Sequence, residues 1–167
     1  MIGRGVFGKW TVKYFQDKSD HPDTLDATFA AGHEIDWPVF TNQIASVKED
    51  KLDFKWGEKP PVEGMKNTYW SARMTGIIFV PKDDDYTFFF DELDDAGRLV
   101  LDGKELFKVW KVQKSTPSNV EPVKLKRGEH KILIEYVQGP ATEASITLSW
   151  KSSSFPKEVV GDYRAPN

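Results

Sequence analysis

Between Lys9 and Phe15 apolar and polar residues take turns: Trp10, Val12 and Tyr14 alternate with Lys9, Thr11 and Lys13. A period of two places the three apolar side chains on one face of an extended chain, the pattern of a half-buried strand. The signal then thins. Residues 16–60 are rich in Asp, Pro and Gly and carry only scattered aromatics (Phe29, Trp37, Phe40, Phe54, Trp56), which predicts long structured loops with short strands. After Asn67 apolar runs crowd together at 69–80, 86–93, 98–101, 105–112, 120–125, 130–137 and 145–150. Short runs at this density predict antiparallel strands.

The residues between the runs agree with that reading. Lys82-Asp83-Asp84-Asp85, Asp102-Gly103, Lys126-Arg127-Gly128 and Gly139-Pro140 are turn chemistry, and Asp-Gly is the strongest short hairpin signal. In the run from His130 to Tyr136, Ile132, Ile134 and Tyr136 share one face, while Lys131, Leu133 and Glu135 share the other. No segment carries the period of a helix of ordinary length, so the expected fold is an all-β antiparallel sandwich with long loops. One domain over residues 6–160 accounts for the pattern. Residues 1–5 and 161–167 are expected to be terminal extensions. The serines and prolines after Lys151 read as an exit toward a further domain.

Composition narrows the function classes. The chain of 167 residues is 39% apolar and 29% charged, which excludes disorder, and no apolar run is long enough to insert in a membrane. Its net charge is −3, with Lys and Arg scattered among Asp and Glu, so the basic stripe of a nucleic-acid binder is missing. Without cysteine there are no disulfides, thiolate metal sites or thiol nucleophiles. Met1 to Gly5 lack the apolar stretch of a signal peptide, so the chain reads as a module excised from a longer protein, monomeric on its own.

Candidate chemistry is sparse. Asp94-Asp95 is on residue chemistry alone a turn pair, since Asp bonds neighbouring N–H groups readily. Asp83-Asp84-Asp85 reads as a solvated turn. The stretch from Asp91 to Asp102 fails as a helix-loop-helix calcium loop, because Leu93 and Ala96 stand where an acid and a glycine are needed. His21, His33 and His130 lack metal-type spacing, and no zinc site is expected from them. Most of the six tryptophans are expected in the core. No glycosidase acid pair, nucleophilic serine context or Gly-rich phosphate loop is recognisable, and no enzyme activity is expected.

Read as one unit, residues 69–106 run Tyr-Trp-Ser-Ala-Arg-Met-Thr-Gly-Ile-Ile-Phe-Val-Pro, then Asp85-Tyr86-Thr87-Phe88, then Asp94-Asp95-Ala96-Gly97-Arg98-Leu99-Val100-Leu101-Asp102-Gly103. This resembles the family named after the N-terminal part of anthrax protective antigen, the PA14 domain. Its pattern has an Arg-x-x-Gly strand ending in Pro, a Tyr-x-Phe strand, an Asp-Asp pair and an Arg-Leu-x-(Ile/Leu)-Asp-Gly hairpin. The resemblance continues through Leu125 to Tyr136 and Ala144 to Trp150. Two departures are Asp84-Asp85 ahead of Tyr86, where the family has an aromatic-Gly turn, and Ala96-Gly97 after the Asp pair, where Gly often comes first.

The resemblance implies a β-sandwich found in toxins, adhesins, glycosidases and lectins. In lectin members two adjacent aspartates joined by a cis peptide hold Ca2+, a later loop adds ligands, and vicinal sugar hydroxyls complete the coordination. Carried over, this implies Asp94, Asp95 and Gln138 as metal ligands, with Gly139 and Thr142 in the carbohydrate-binding set. Neighbouring residues of an extended strand point to opposite faces, so two adjacent aspartates reach one ion only through an unusual backbone. Calcium takes six to eight oxygens and accepts carboxylate, amide and hydroxyl together, so the residue types suit it. The expectation is a calcium-dependent carbohydrate-binding module of a secreted or cell-surface bacterial protein. Absence of cysteine fits bacterial relatives better than disulfide-bonded fungal adhesins. The alternative is a structural or protein-interaction module in which the same residues only shape a turn.

Overall fold

The computed structural model describes residues 3–21, 32–140 and 143–161, and these hold thirteen strands and no helix. In chain order they are β1 (Gly5–Val6), β2 (Trp10–Gln16), β3 (Gln43–Glu49), β4 (Asp53–Gly57), β5 (Trp70–Val80), β6 (Asp84–Asp94), β7 (Ala96–Leu101), β8 (Lys104–Val109), β9 (Ser118–Asn119), β10 (Val123–Leu125), β11 (Gly128–Gln138), β12 (Ala144–Ser152) and β13 (Phe155–Val159). All pairings are antiparallel. One sheet runs β3-β2-β5-β11-β7-β8 with β1 also on β5. The other runs β10-β6-β12-β13, with β4 on β12 and β9 on β6. The all-β sandwich expected from the sequence is the fold observed.

Alternation sets the faces. Trp10, Val12 and Tyr14 of β2 are buried, as are Ile132, Ile134 and Tyr136 of β11. From the opposite sheet, β6 contributes Tyr86, Phe88 and Phe90, and β12 contributes Ile146, Leu148 and Trp150. Trp10, Trp70, Trp150, Tyr86, Tyr136, Phe88 and Phe90 are among the largest fully buried side chains, so aromatic burial supplies much of the core's apolar area. Trp56 packs edge-on against Trp70 at 4.8 Å between ring centroids, closing the core beside β4.

Two local features were not shown by the pattern. On β6 the ladder with β12 steps from Thr147↔Glu92 to Leu148↔Phe90, leaving Asp91 as an extra residue. This bulge switches the inward phase, so Leu93 is buried after Tyr86, Phe88 and Phe90. The second feature is β13, which pairs with β12 where the serines and prolines suggested an exit. Phe155 seats against Trp150, with ring centroids 5.0 Å apart, so an apolar anchor holds this segment to the sheet. Of the aromatics in the predicted loop region, Phe29 lies outside the described residues.

Candidate functional site

Strand β6 belongs to the smaller sheet and β7 to the larger, and Asp95 is the single residue between them. The Asp94-Asp95 pair is therefore the corner where the chain crosses the sandwich. Asp94 is paired with Ser145 on β12, and Ala96 with Val137 on β11. The peptide bond joining the two aspartates is cis, as the resemblance implies.

Both carboxylates are inside the protein, at 5% exposure for Asp94 and 1% for Asp95. The two oxygens of Asp95 are each satisfied by a backbone donor: Gln113 N–H donates to Oδ1 at 3.0 Å and Gly139 N–H to Oδ2 at 2.9 Å. Asp94 differs, because its Oδ1 is buried with no hydrogen-bond partner. Burial pushes the Asp94 carboxyl up to about 6, opposed by hydrogen bonds from Asp95 and the Ser115 backbone and reinforced by the charge of Glu143. Asp95 is also held well above the usual carboxylate range, first by burial, with the Asp94 charge adding to it against the Gly139 N–H. Two carboxylates packed together out of water favour protonation unless a cation joins them.

The later loop meets the corner through several contacts. Tyr136, fully buried on β11, donates its hydroxyl to the Asp94 carbonyl and lies 3.3 Å from Gln138 Oε1. The Gln138 amide nitrogen donates to the carbonyls of Pro140 at 3.2 Å and Glu143 at 3.4 Å. Gln138 thus ties the ends of the β11–β12 loop and reaches Asp94 by way of Tyr136. Gly139 holds Asp95 through its N–H, and its carbonyl accepts from Tyr69 N–H at 2.9 Å. Thr142 lies outside the described residues. Two adjoining carboxylates and one buried oxygen lacking a donor suit a hard cation, whereas the Gln138 amide oxygen is turned to the Tyr136 hydroxyl, which separates it from the Asp94 backbone.

Sequence reasoning gave no site role to residues 110–117, the β8–β9 connection, and carried the strand to 112 where β8 ends at Val109. Besides the Gln113 backbone donor, this connection places the Gln113 side-chain amide on the Leu93 carbonyl at 3.0 Å. Backbone donors leave no trace in residue type, so only the fold reveals them. Trp37 is a second omission. A β-carbon placed on Gly139 would lie 3.1 Å from Trp37 Cη2 and 3.4 Å from Asp95 Oδ2, so the indole and the carboxylate close on the same glycine. Two of the histidines, far apart in spacing, also come together: the rings of His21 and His33 are 5.0 Å apart, and both bind Asp36.

The PA14 domain family model matches residues 13–163. The chain belongs to the PA14 domain family. Over 110 residues, 65% of this chain, it is 36% identical to the anti-sigma-I factor RsgI3 of Acetivibrio thermocellus, of which it spans 17%. Among solved structures, an anti-sigma factor domain-containing protein superposes with a TM-score of 0.72 at 25% identity, covering 92% of this chain and 46% of that one. The PA14 sugar-binding domain of an RTX adhesin superposes with a TM-score of 0.68 over 96% of each chain, at 11% identity, a likeness of fold. This PA14 domain therefore corresponds to under a fifth of the curated relative and about half of the first solved one.

Proposed function

We propose that this PA14 domain is a calcium-dependent carbohydrate-binding module of a secreted or cell-surface bacterial protein. Asp94 and Asp95 hold the cation, and vicinal hydroxyls of a sugar complete its coordination. The observation that carries this reading is the buried Asp94 Oδ1, which lacks a donor and adjoins a second buried carboxylate. Burying two like charges together costs free energy that a divalent ion offsets. Gln138, Gly139 and Thr142 belong to the loop that would shape the sugar's approach, Gln138 with the amide oxygen best suited to the ion. Two carboxylates and a neutral amide leave bound calcium near-neutral and short of ligands, which a diol supplies. When bound, the ion supplies electrostatic attraction for hydroxyl oxygens, while the protein fixes Asp95 through Gly139 and Gln113 and fixes Asp94 through Tyr136.

A second reading has its own support: both Asp95 oxygens already accept backbone hydrogen bonds, and the 36% identical relative is an anti-sigma factor. Here the module is a non-catalytic structural or protein-interaction part of a longer regulator, and the pair braces the corner. Both readings place the domain in a multidomain chain; in a regulator, a glycan-binding module would supply the extracellular input. A glycan array followed by calorimetry, with calcium or with a chelator, separates them. The expected result is binding that disappears on chelation and in Asp94→Asn. Binding that persists in both conditions overturns the calcium bridge.

A further inference from the structure

We propose that His21, His33 and Asp36 form a second metal site, for a zinc-class divalent transition ion, separate from the Asp94-Asp95 pair. His21 Nε2 lies 2.7 Å from Asp36 Oδ1, and His33 Nε2 lies 2.9 Å from Asp36 Oδ2. One ligand atom from each residue falls within 4.8 Å of the others. Two imidazole nitrogens and one carboxylate oxygen are a donor set that selects zinc, copper or nickel over calcium and magnesium, which want oxygen throughout. Zinc binds imidazole nitrogen at roughly 2.0–2.1 Å and carboxylate oxygen at about 2.0–2.2 Å, so tetrahedral ligands stand ~3.4 Å apart. An ion replacing the two N–H protons would therefore spread the three side chains by about half an ångström. They have room to move, since side-chain exposure is 33% for His21, 29% for His33 and 49% for Asp36.

The backbone beneath the site is fixed where precision matters. Val112 N–H donates to the His33 carbonyl at 2.8 Å, Gly32 N–H to the Val112 carbonyl at 2.6 Å and Ile35 N–H to the Trp110 carbonyl at 3.1 Å. Residues 32–35 thus run strand-like along 110–112, and two of the three ligands, His33 and Asp36, rise from or directly follow this pinned segment. His21 closes the set from across residues 22–31, its own N–H bonded to Ser19 Oγ at 3.0 Å. Its ring also stands 6.0 Å from that of Trp37, edge to face. His21 and Asp36 line a cleft of about 780 Å³ that also holds Asp17, Lys18 and Lys66. Three protein ligands leave a fourth position open, which water or a ligand oxygen from this cleft can take.

The test is titration of chelator-treated protein with Zn2+ by calorimetry, and with Co2+ followed by its visible absorption. The expected result is one saturable equivalent of Zn2+, weakened by about tenfold or more in His21→Gln, His33→Gln and Asp36→Asn. Because these side chains are exposed in part, each variant should keep the parent's thermal transition in chelator, and any that does not is replaced by its His→Asn or Asp→Ser counterpart. Asp94→Asn, which removes the proposed calcium ligand, leaves zinc binding unchanged. Absence of saturable Zn2+ binding, binding indifferent to both histidine variants, or binding lost in Asp94→Asn overturns the proposal.

Discussion

Asp102 shows how much one side chain at a turn can fix. With Gly103 it forms the two-residue β7–β8 loop, both residues at positive φ (51° and 81°), the conformation for which Asp-Gly is chosen. Its Oδ1 accepts from Lys131 N–H at 2.9 Å, and its Oδ2 meets His130 Nδ1 at 2.5 Å. His130 Nε2 faces the Lys126 carbonyl at 2.7 Å, so both ring nitrogens look onto acceptors, and only the imidazolium can donate to both. Partial burial lowers the His130 pKa, but Asp102 and the carbonyl outweigh it and the net shift is upward. A raised folded-state pKa contributes stability that is fully present below the unfolded value of about 6.5 and is lost as pH rises through the folded value. Asp102→Asn keeps the turn, since Asn tolerates positive φ, and is expected to lower the His130 pKa in an NMR titration of its ring protons. An unchanged midpoint would contradict the ion pair. The hairpin was legible from Asp-Gly; its link to His130 was not, since the partners are 28 residues apart.

The bulged β6 and the short β7 are the elements that place the site. Because Asp91 is extra, Leu93 turns inward and packs over Gly97, where an added β-carbon would lie 2.6 Å from Leu93 Cδ1. Leu93 is fully buried and cannot swing away into solvent. Gly97→Ala is therefore expected to destabilise the domain by about 1–3 kcal/mol in urea unfolding, the usual range for overpacking. A loss below a few tenths of a kcal/mol would mean that the corner is looser than its packing suggests. Alternation made β2 and β11 legible in advance. It could not place the bulge, because Phe88-Phe89-Phe90 offers apolar residues in both phases. The same limit hid β13, whose serines and prolines look like a linker until Phe155 is seen against Trp150.

At the scale of the whole molecule, the Asp pair joins the two sheets, so a ligand there is linked to global stability. An ion that binds only the folded chain stabilises it by mass action, about 2.7 kcal/mol at a hundredfold excess over Kd. Thermal unfolding is expected to move upward with calcium in the parent protein and to stay fixed in Asp94→Asn. Without calcium, Asp94→Asn should unfold at higher temperature than the parent, because it removes one of two buried like charges. Equal midpoints with and without calcium in the parent would argue for the structural reading of the corner.

The sequence by itself determined the all-β class, most strands, the PA14 resemblance and the identity of Asp94 and Asp95 as the residues to inspect. These are properties of local pattern: alternation needs only neighbours, and a motif needs only order. Tertiary structure decided what those residues meet. It set Gln113 and Gly139 as backbone donors around the pair, left Asp94 Oδ1 without one, put Gln138 behind Tyr136, and gathered His21, His33 and Asp36 into one cluster. Backbone N–H groups are alike in every residue except proline, and loops of irregular shape carry no period. Their meeting points follow only from how the two sheets stack.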